Sequence, residues 1–168
     1  MLKRINELKR NSGGFQLVEL LIVIALISIL LAIGVPSIVG QLGHLRLSRS
    51  TRDMATELNA ARLRAIAQNT NYRVSFTVPG SYLLQRWDKT TSTWVNESTH
   101  TTMTVEAGTG IISPGAGFST VFSPNGTARD GGGGVPNSIC INNSAGTNDR
   151  MKITVEGPTG MIKVLTGC

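Results

Sequence analysis

The chain has 168 residues, with 16 Lys and Arg against 10 Asp and Glu, a net charge of +6. That length holds one domain and a long anchor and excludes two large domains. Lys3, Arg4, Lys9 and Arg10 against Glu7 place half of the excess charge in the first 13 residues, so the remainder carries only +3, weak grounds for a nucleic-acid partner.

The basic leader gives way at Gly13-Gly14 to Phe15-Gln16-Leu17-Val18-Glu19 and then to an apolar block, Leu20 to Val35, broken only by Ser28 and the small residues Ala25, Ala32 and Gly34. At 1.5 Å per residue, the stretch from Leu20 to Val39 spans about 30 Å as a helix, the thickness of a bilayer core. The positive-inside rule holds the leader in the cytoplasm and sends the remainder of the chain across. A lone carboxylate at the edge of such a block is costly in lipid, so Glu19 is expected to be functional and to have a partner. An ordinary secretory signal is cut after its apolar region. Here the small pair lies before it. Cleavage after Gly14 would remove the leader, keep the anchor, and make Phe15 the new N-terminus, with Glu19 the fifth residue.

Beyond Pro36 the helical pattern continues. Leu47, Met54, Leu58, Ala61 and Ala65 fall within an arc of about 60° at 100° per residue, which predicts an amphipathic helix to about Gln68 with this stripe buried. From Phe15 to Gln68 it would measure about 80 Å. Pro36, near Gly34 and Gly40, is expected to kink or locally melt it. Arg46, Arg49, Arg52 and Arg64 lie off the stripe but do not form one continuous row; with Asp53 and Glu57 interspersed they are read as a solvated face with intrahelical ion pairs.

Asn69-Thr70-Asn71 ends the helix. Alternation then predicts strands over 72–78 and 81–87 around a Pro79-Gly80 turn, and further strands at 93–95, 102–106, 111–112, 118–122, 138–141, 150–156 and 161–165. Ser123-Pro124-Asn125-Gly126 is a β-turn leading into Thr127-Ala128-Arg129. The four glycines of Asp130–Gly134 lack the Lys-Ser/Thr and the helix start of a phosphate loop and are read as a flexible loop. Residues 142–149 are expected to be a polar loop. The whole is an α+β chain: a long N-terminal transmembrane and amphipathic helix packed on a C-terminal antiparallel β-sheet or sandwich. Its parts are a basic leader over 1–14, a hydrophobic anchor over 15–39, an amphipathic continuation over 40–70 and a β-rich extracytoplasmic domain over 71–168.

Cys140 and Cys168 both lie beyond the anchor, in a compartment that permits disulfides. A bridge would pin the C-terminus to an earlier strand and contribute about 3 kcal/mol in the chain-entropy model. Two distant cysteines and two scattered histidines, His44 and His100, make no metal-ligand set. No HExxH or GxSxG pattern occurs, and the sequence is read as a non-enzyme without cofactor.

The order basic leader, Gly14-Phe15, Glu19, spanning apolar run and Pro36 resembles the type IV prepilin signal; Gln16 stands where Ser or Thr is commoner. Further on, Leu58-Asn59-Ala60-Ala61-Arg62 with Ala65-Ile66, Phe122-Ser123-Pro124-Asn125-Gly126-Thr127, and Val155-Glu156-Gly157-Pro158-Thr159-Gly160 with a terminal Cys resemble the FimT/GspH family of minor pilins and pseudopilins. The resemblance implies cleavage after Gly14 and N-methylation of Phe15 by a prepilin peptidase. It implies residence in the bacterial inner membrane with the β domain in the periplasm, and assembly with other pilin subunits driven by an inner-membrane platform. In the filament Glu19 would neutralise the amine of a neighbouring Phe15, and the subunit would help to initiate the filament of a type IV pilus or of a type II secretion pseudopilus. Some members bind DNA for uptake through a Gly-Arg-x-Arg segment. This chain has Gly160-Met161-Ile162-Lys163 there, so Arg150, Lys152 and Lys163 are candidate DNA contacts, and DNA is not the favoured partner.

Overall fold

A computed structural model describes residues 16–97, 102–136, 138–143 and 149–168, with only the backbone described over 35–40. The chain falls into two compact units, residues 1–40 and 41–168.

One helix, α1, runs Leu17–Ala67. Helical backbone continues through residues 35–40, so the local melting weighed for Pro36 is not seen. The end of the helix follows from Asn69, which adopts φ 50°. Asn accepts the left-handed region because its short polar side chain can bond locally. The turn it makes lets Thr70 N–H donate to Ala65 O (3.3 Å) and Asn69 N–H to Ile66 O (3.4 Å), which satisfies carbonyls the helix would leave open.

Within the second unit, Leu47, Met54, Leu58, Ala61 and Ala65 are fully buried. They share one core with the inner faces of two antiparallel sheets. Sheet A follows the order β3 (Thr93–Asn96), β2 (Ser81–Asp88), β1 (Tyr72–Thr77), β6 (Ser119–Phe122), β7 (Ala128–Asp130), with β4 (Met103–Thr104) also pairing β2. Sheet B follows β10 (Ile162–Thr166), β9 (Arg150–Val155), β8 (Ile139–Asn143), β5 (Thr109–Ser113). Alternation decides the faces. Tyr72, Val74 and Phe76 turn inward from β1, as do Ile139 and Ile141 from β8 and Met151, Ile153 and Val155 from β9. Of the expected strand over 102–106, only Met103–Thr104 pairs. Ser50 explains why the chain leaves β4 so soon: its hydroxyl, nearly buried on the helix, accepts from Glu106 N–H (2.9 Å) and lies 3.2 Å from Thr109 Oγ1.

The two turns that marked the sequence clasp each other. Gly126 (φ 82°), between β6 and β7, and Gly160 (φ 61°), between β9 and β10, are both buried. Arg62, at the helix edge, donates from Nε to Gly126 O (3.3 Å). A Cβ on Gly160 would collide with that same carbonyl and stand 2.9 Å from Arg62 Nε. Ala128 N–H to Gly157 O (2.7 Å) closes the junction. Helix and both sheets thus meet at a point that only glycines can occupy.

Two expectations are corrected. The Asp130–Gly134 stretch is a closed turn rather than a flexible loop, because the Asp130 carboxylate accepts from Gly134 N–H (2.7 Å) and Asp130 N–H donates to Gly134 O (3.0 Å). The helix arginines are not simply a solvated face with pairs along the helix. Arg49 reaches off the helix to Glu106 (3.8 Å), and Arg62 is spent on Gly126.

Candidate functional site

The segment Leu17–Gly34 has a mean hydropathy of 2.9 and none of it is buried within the chain, so it is long and apolar enough to cross a membrane. Leu20, Leu21, Ile22, Ile24, Leu26 and Ile29 are each at least half exposed, a surface a water-facing helix would not carry. Its single hydroxyl side chain, Ser28, turns back onto Ile24 O (2.7 Å) and needs no outside partner. Glu19 is the one charge in the segment. It lies exposed in the first helical turn, where the positive end of the helix dipole favours a carboxylate. Gly14 and Phe15 lie outside the described residues. Of the expected processing site, therefore, the structure positions Glu19, two residues into the helix, with its carboxylate open to a partner from elsewhere.

The domain end of the chain is stapled. Cys140 on β8 and Cys168 are joined, 28 residues apart in sequence, with Cα atoms 6.1 Å apart. The bridge passes over β9, so it secures the C-terminal strand to the interior of sheet B rather than to its neighbour alone.

Arg150, Lys152 and Lys163 are brought to one face. Lys163 opposes Thr154 and Lys152 opposes Leu165, all on the side of sheet B away from the core. The patch is partly neutralised, because Lys163 Nζ donates to Glu156 Oε1 at 2.5 Å. That bond, with a second from Thr159, holds the Glu156 carboxyl below its ordinary value. Arg46, Arg49 and Arg52 border an open groove of about 480 Å³, but Asp53 and Glu106 line it as well, so it presents mixed charge. His44 lies against Asp149, binding the start of the domain's part of the helix to the β8–β9 connection. His100 falls outside the described residues, and among the described residues no cluster of His, Cys, Asp and Glu could hold a metal ion.

Sequence reasoning missed one constellation. Trp87 and Trp94, directly opposed on β2 and β3, meet edge to face at 5.2 Å, and the Arg73 guanidinium sits 4.4 Å from the Trp94 ring centre. Partial burial lowers the Arg73 pKa from its ordinary value. The available signal was the phase of three alternating segments, since residues 73, 85, 87 and 94 share the outward parity once the strands are paired.

Comparison with known proteins agrees with this arrangement. Residues 9–35 match the family described as the prokaryotic N-terminal methylation motif. Two solved structures of the minor pseudopilin EpsH from the type II secretion system of Vibrio cholerae share the fold. One has a TM-score of 0.57 at 12% identity over 72% of this chain and 97% of its own. The other has a TM-score of 0.55 at 12% identity over 73% and 96%. No curated protein matches the chain. The matched motif covers the N-terminal part of the chain, and the likeness to EpsH is one of fold.

Proposed function

We propose that this chain is a minor structural subunit that helps to initiate a filament, either a type IV pilus or a type II secretion pseudopilus. The observation that carries the proposal is the methylation motif at residues 9–35 running into a wholly exposed apolar helix with one carboxylate, Glu19. A prepilin peptidase removes residues 1–14 and methylates Phe15. The subunit then waits in the inner membrane, with its anchor in lipid and its β domain in the periplasm, until an assembly platform extracts it. On entry into the filament, Glu19 meets the amine of a neighbouring Phe15. Either charge alone among apolar helices is costly; paired, they offset each other and fix the register of the subunits.

Deleting the gene tests this. Lost pili with normal secretion would make the chain a pilus subunit, and intact pili with proteins trapped before export would make it a secretion pseudopilin. If both survive, the proposal fails. Carriage of DNA for uptake is the second reading, and the Lys163–Glu156 pair weighs against it, since a neutralised lysine offers phosphate little. Weak binding at physiological salt in a salt-titrated gel shift is expected; tight binding would reverse the order of the two readings.

A further inference from the structure

The face of sheet A turned away from the core carries a second arrangement of polar and aromatic side chains. Register places Asn96, Gln85, Arg73, Val121 and Arg129 in one row across five strands. At about 4.8 Å per strand, Arg73 and Arg129 stand about 10 Å apart with Val121 between them. Trp94 and Trp87 occupy the adjoining row, with Asn71 next in line where the chain enters β1. These are the only two tryptophans in the chain. A shallow depression of about 320 Å³ is bounded by Asn71, Trp87, Trp94, Val121, Arg129 and the Gly131–Gly133 turn.

Its chemistry is specific. Both tryptophans are half-buried, and the Arg73 guanidinium takes one face of Trp94. Arg73 donates from Nε to Gln85 Oε1 (2.6 Å), and Gln85 Nε2 donates to Asn96 Oδ1 (2.9 Å), so a ladder of planar polar groups lies beside the rings. Arg129 is exposed and, among the described residues, no carboxylate pairs with it. Among the described residues no carboxylate lines the depression. Asp130 alternates to the other face and is occupied by Gly134 N–H. The ligand must therefore offer a face for indole, hydroxyls for amides, and negative charge for a guanidinium.

We propose that this depression binds an acidic glycan, with sugar rings on Trp94 and Trp87 and a sugar carboxylate on Arg129. The ring geometry favours sugars over single-stranded nucleic acid. Two indoles inclined at 69° cannot stack successive parallel bases, and two guanidiniums are a short track for a phosphate backbone. Successive pyranose rings turn along their chain and fit an angled floor.

Because both tryptophans are in the site, intrinsic fluorescence of the full chain in detergent micelles reports its occupancy. Trigalacturonate should change the emission saturably, whereas the neutral trisaccharide cellotriose should bind at least tenfold more weakly. Arg129→Gln, at an exposed position, should keep the thermal midpoint and lose that preference; Trp94→Ala should lose binding of both, read by calorimetry. No response to trigalacturonate, an equal response to cellotriose, an unchanged preference in Arg129→Gln, or a response to oligothymidylate alone would each overturn the proposal.

Discussion

The helix is built twice over from apolar residues, and its two stretches put them to opposite uses. From Leu17 to Gly34 apolar side chains cover every side and none is buried. From Leu47 to Ala65 they are concentrated in one stripe, and that stripe is fully buried beneath two sheets. The first pattern suits a medium without water, or a bundle of identical helices, where any side can be a contact. The second suits one fixed partner. The difference teaches that hydrophobicity alone does not say what a helix does; its angular distribution does.

The contrast can be broken at several strengths. The largest effect is expected at the processing site. Gly14→Val should abolish removal of residues 1–14, seen as an intact mass that keeps the leader, while leaving the fold of the β domain unchanged. Next, Leu58→Ala should destabilise the domain by about 3 kcal/mol in urea unfolding, because it opens a cavity in a fully buried core. Leu26→Ala should leave that unfolding unchanged, since Leu26 is more than half exposed and outside the domain core. Equal effects would erase the distinction between the two stretches. Cys140→Ser with Cys168→Ser should cost the domain about 3 kcal/mol through the freed 28-residue loop, in the same assay.

The smallest effect is pH-linked. Glu156 is held below its ordinary value of 4.5, first by its bond to Lys163. A depressed carboxyl contributes stability that is complete above that value and is lost as the pH falls through the lowered one. The thermal midpoint of Lys163→Gln should therefore lie slightly below that of the parent at neutral pH, and the gap should close as acid protonates Glu156. A gap that persists in acid would mean the lysine acts through packing rather than through the pair.

Much of this architecture can be read from the chain because it is periodic. Leu47, Met54, Leu58, Ala61 and Ala65 announce a buried face by spacing alone, and Met151, Ile153 and Val155 do the same for a strand. What could not be read depends on register between distant segments. Arg62 and Gly126 are 64 residues apart, so nothing local announces that a helix arginine, a β-turn carbonyl and Gly160 share one point. Arg73 over Trp94 requires β1, β2 and β3 to be paired in a particular phase, which turn geometry fixes and alternation alone does not. The Asp130–Gly134 turn misleads for another reason: four glycines suggest freedom, and one preceding carboxylate removes it by capturing the Gly134 N–H. At the N-terminus the position is reversed. The spacing of Gly14, Phe15 and Glu19 is visible only in sequence, and the structure adds the exposure of Glu19 in the first turn of the helix.

The proposed assembly contact of Glu19 is tested by the fraction of the subunit recovered in sheared filaments relative to the membrane, for the parent and for Glu19→Ala. The parent subunit should be found in both fractions. Glu19→Ala should be processed and retained in the membrane but absent from filaments. Incorporation of the variant at the parent level would contradict that role.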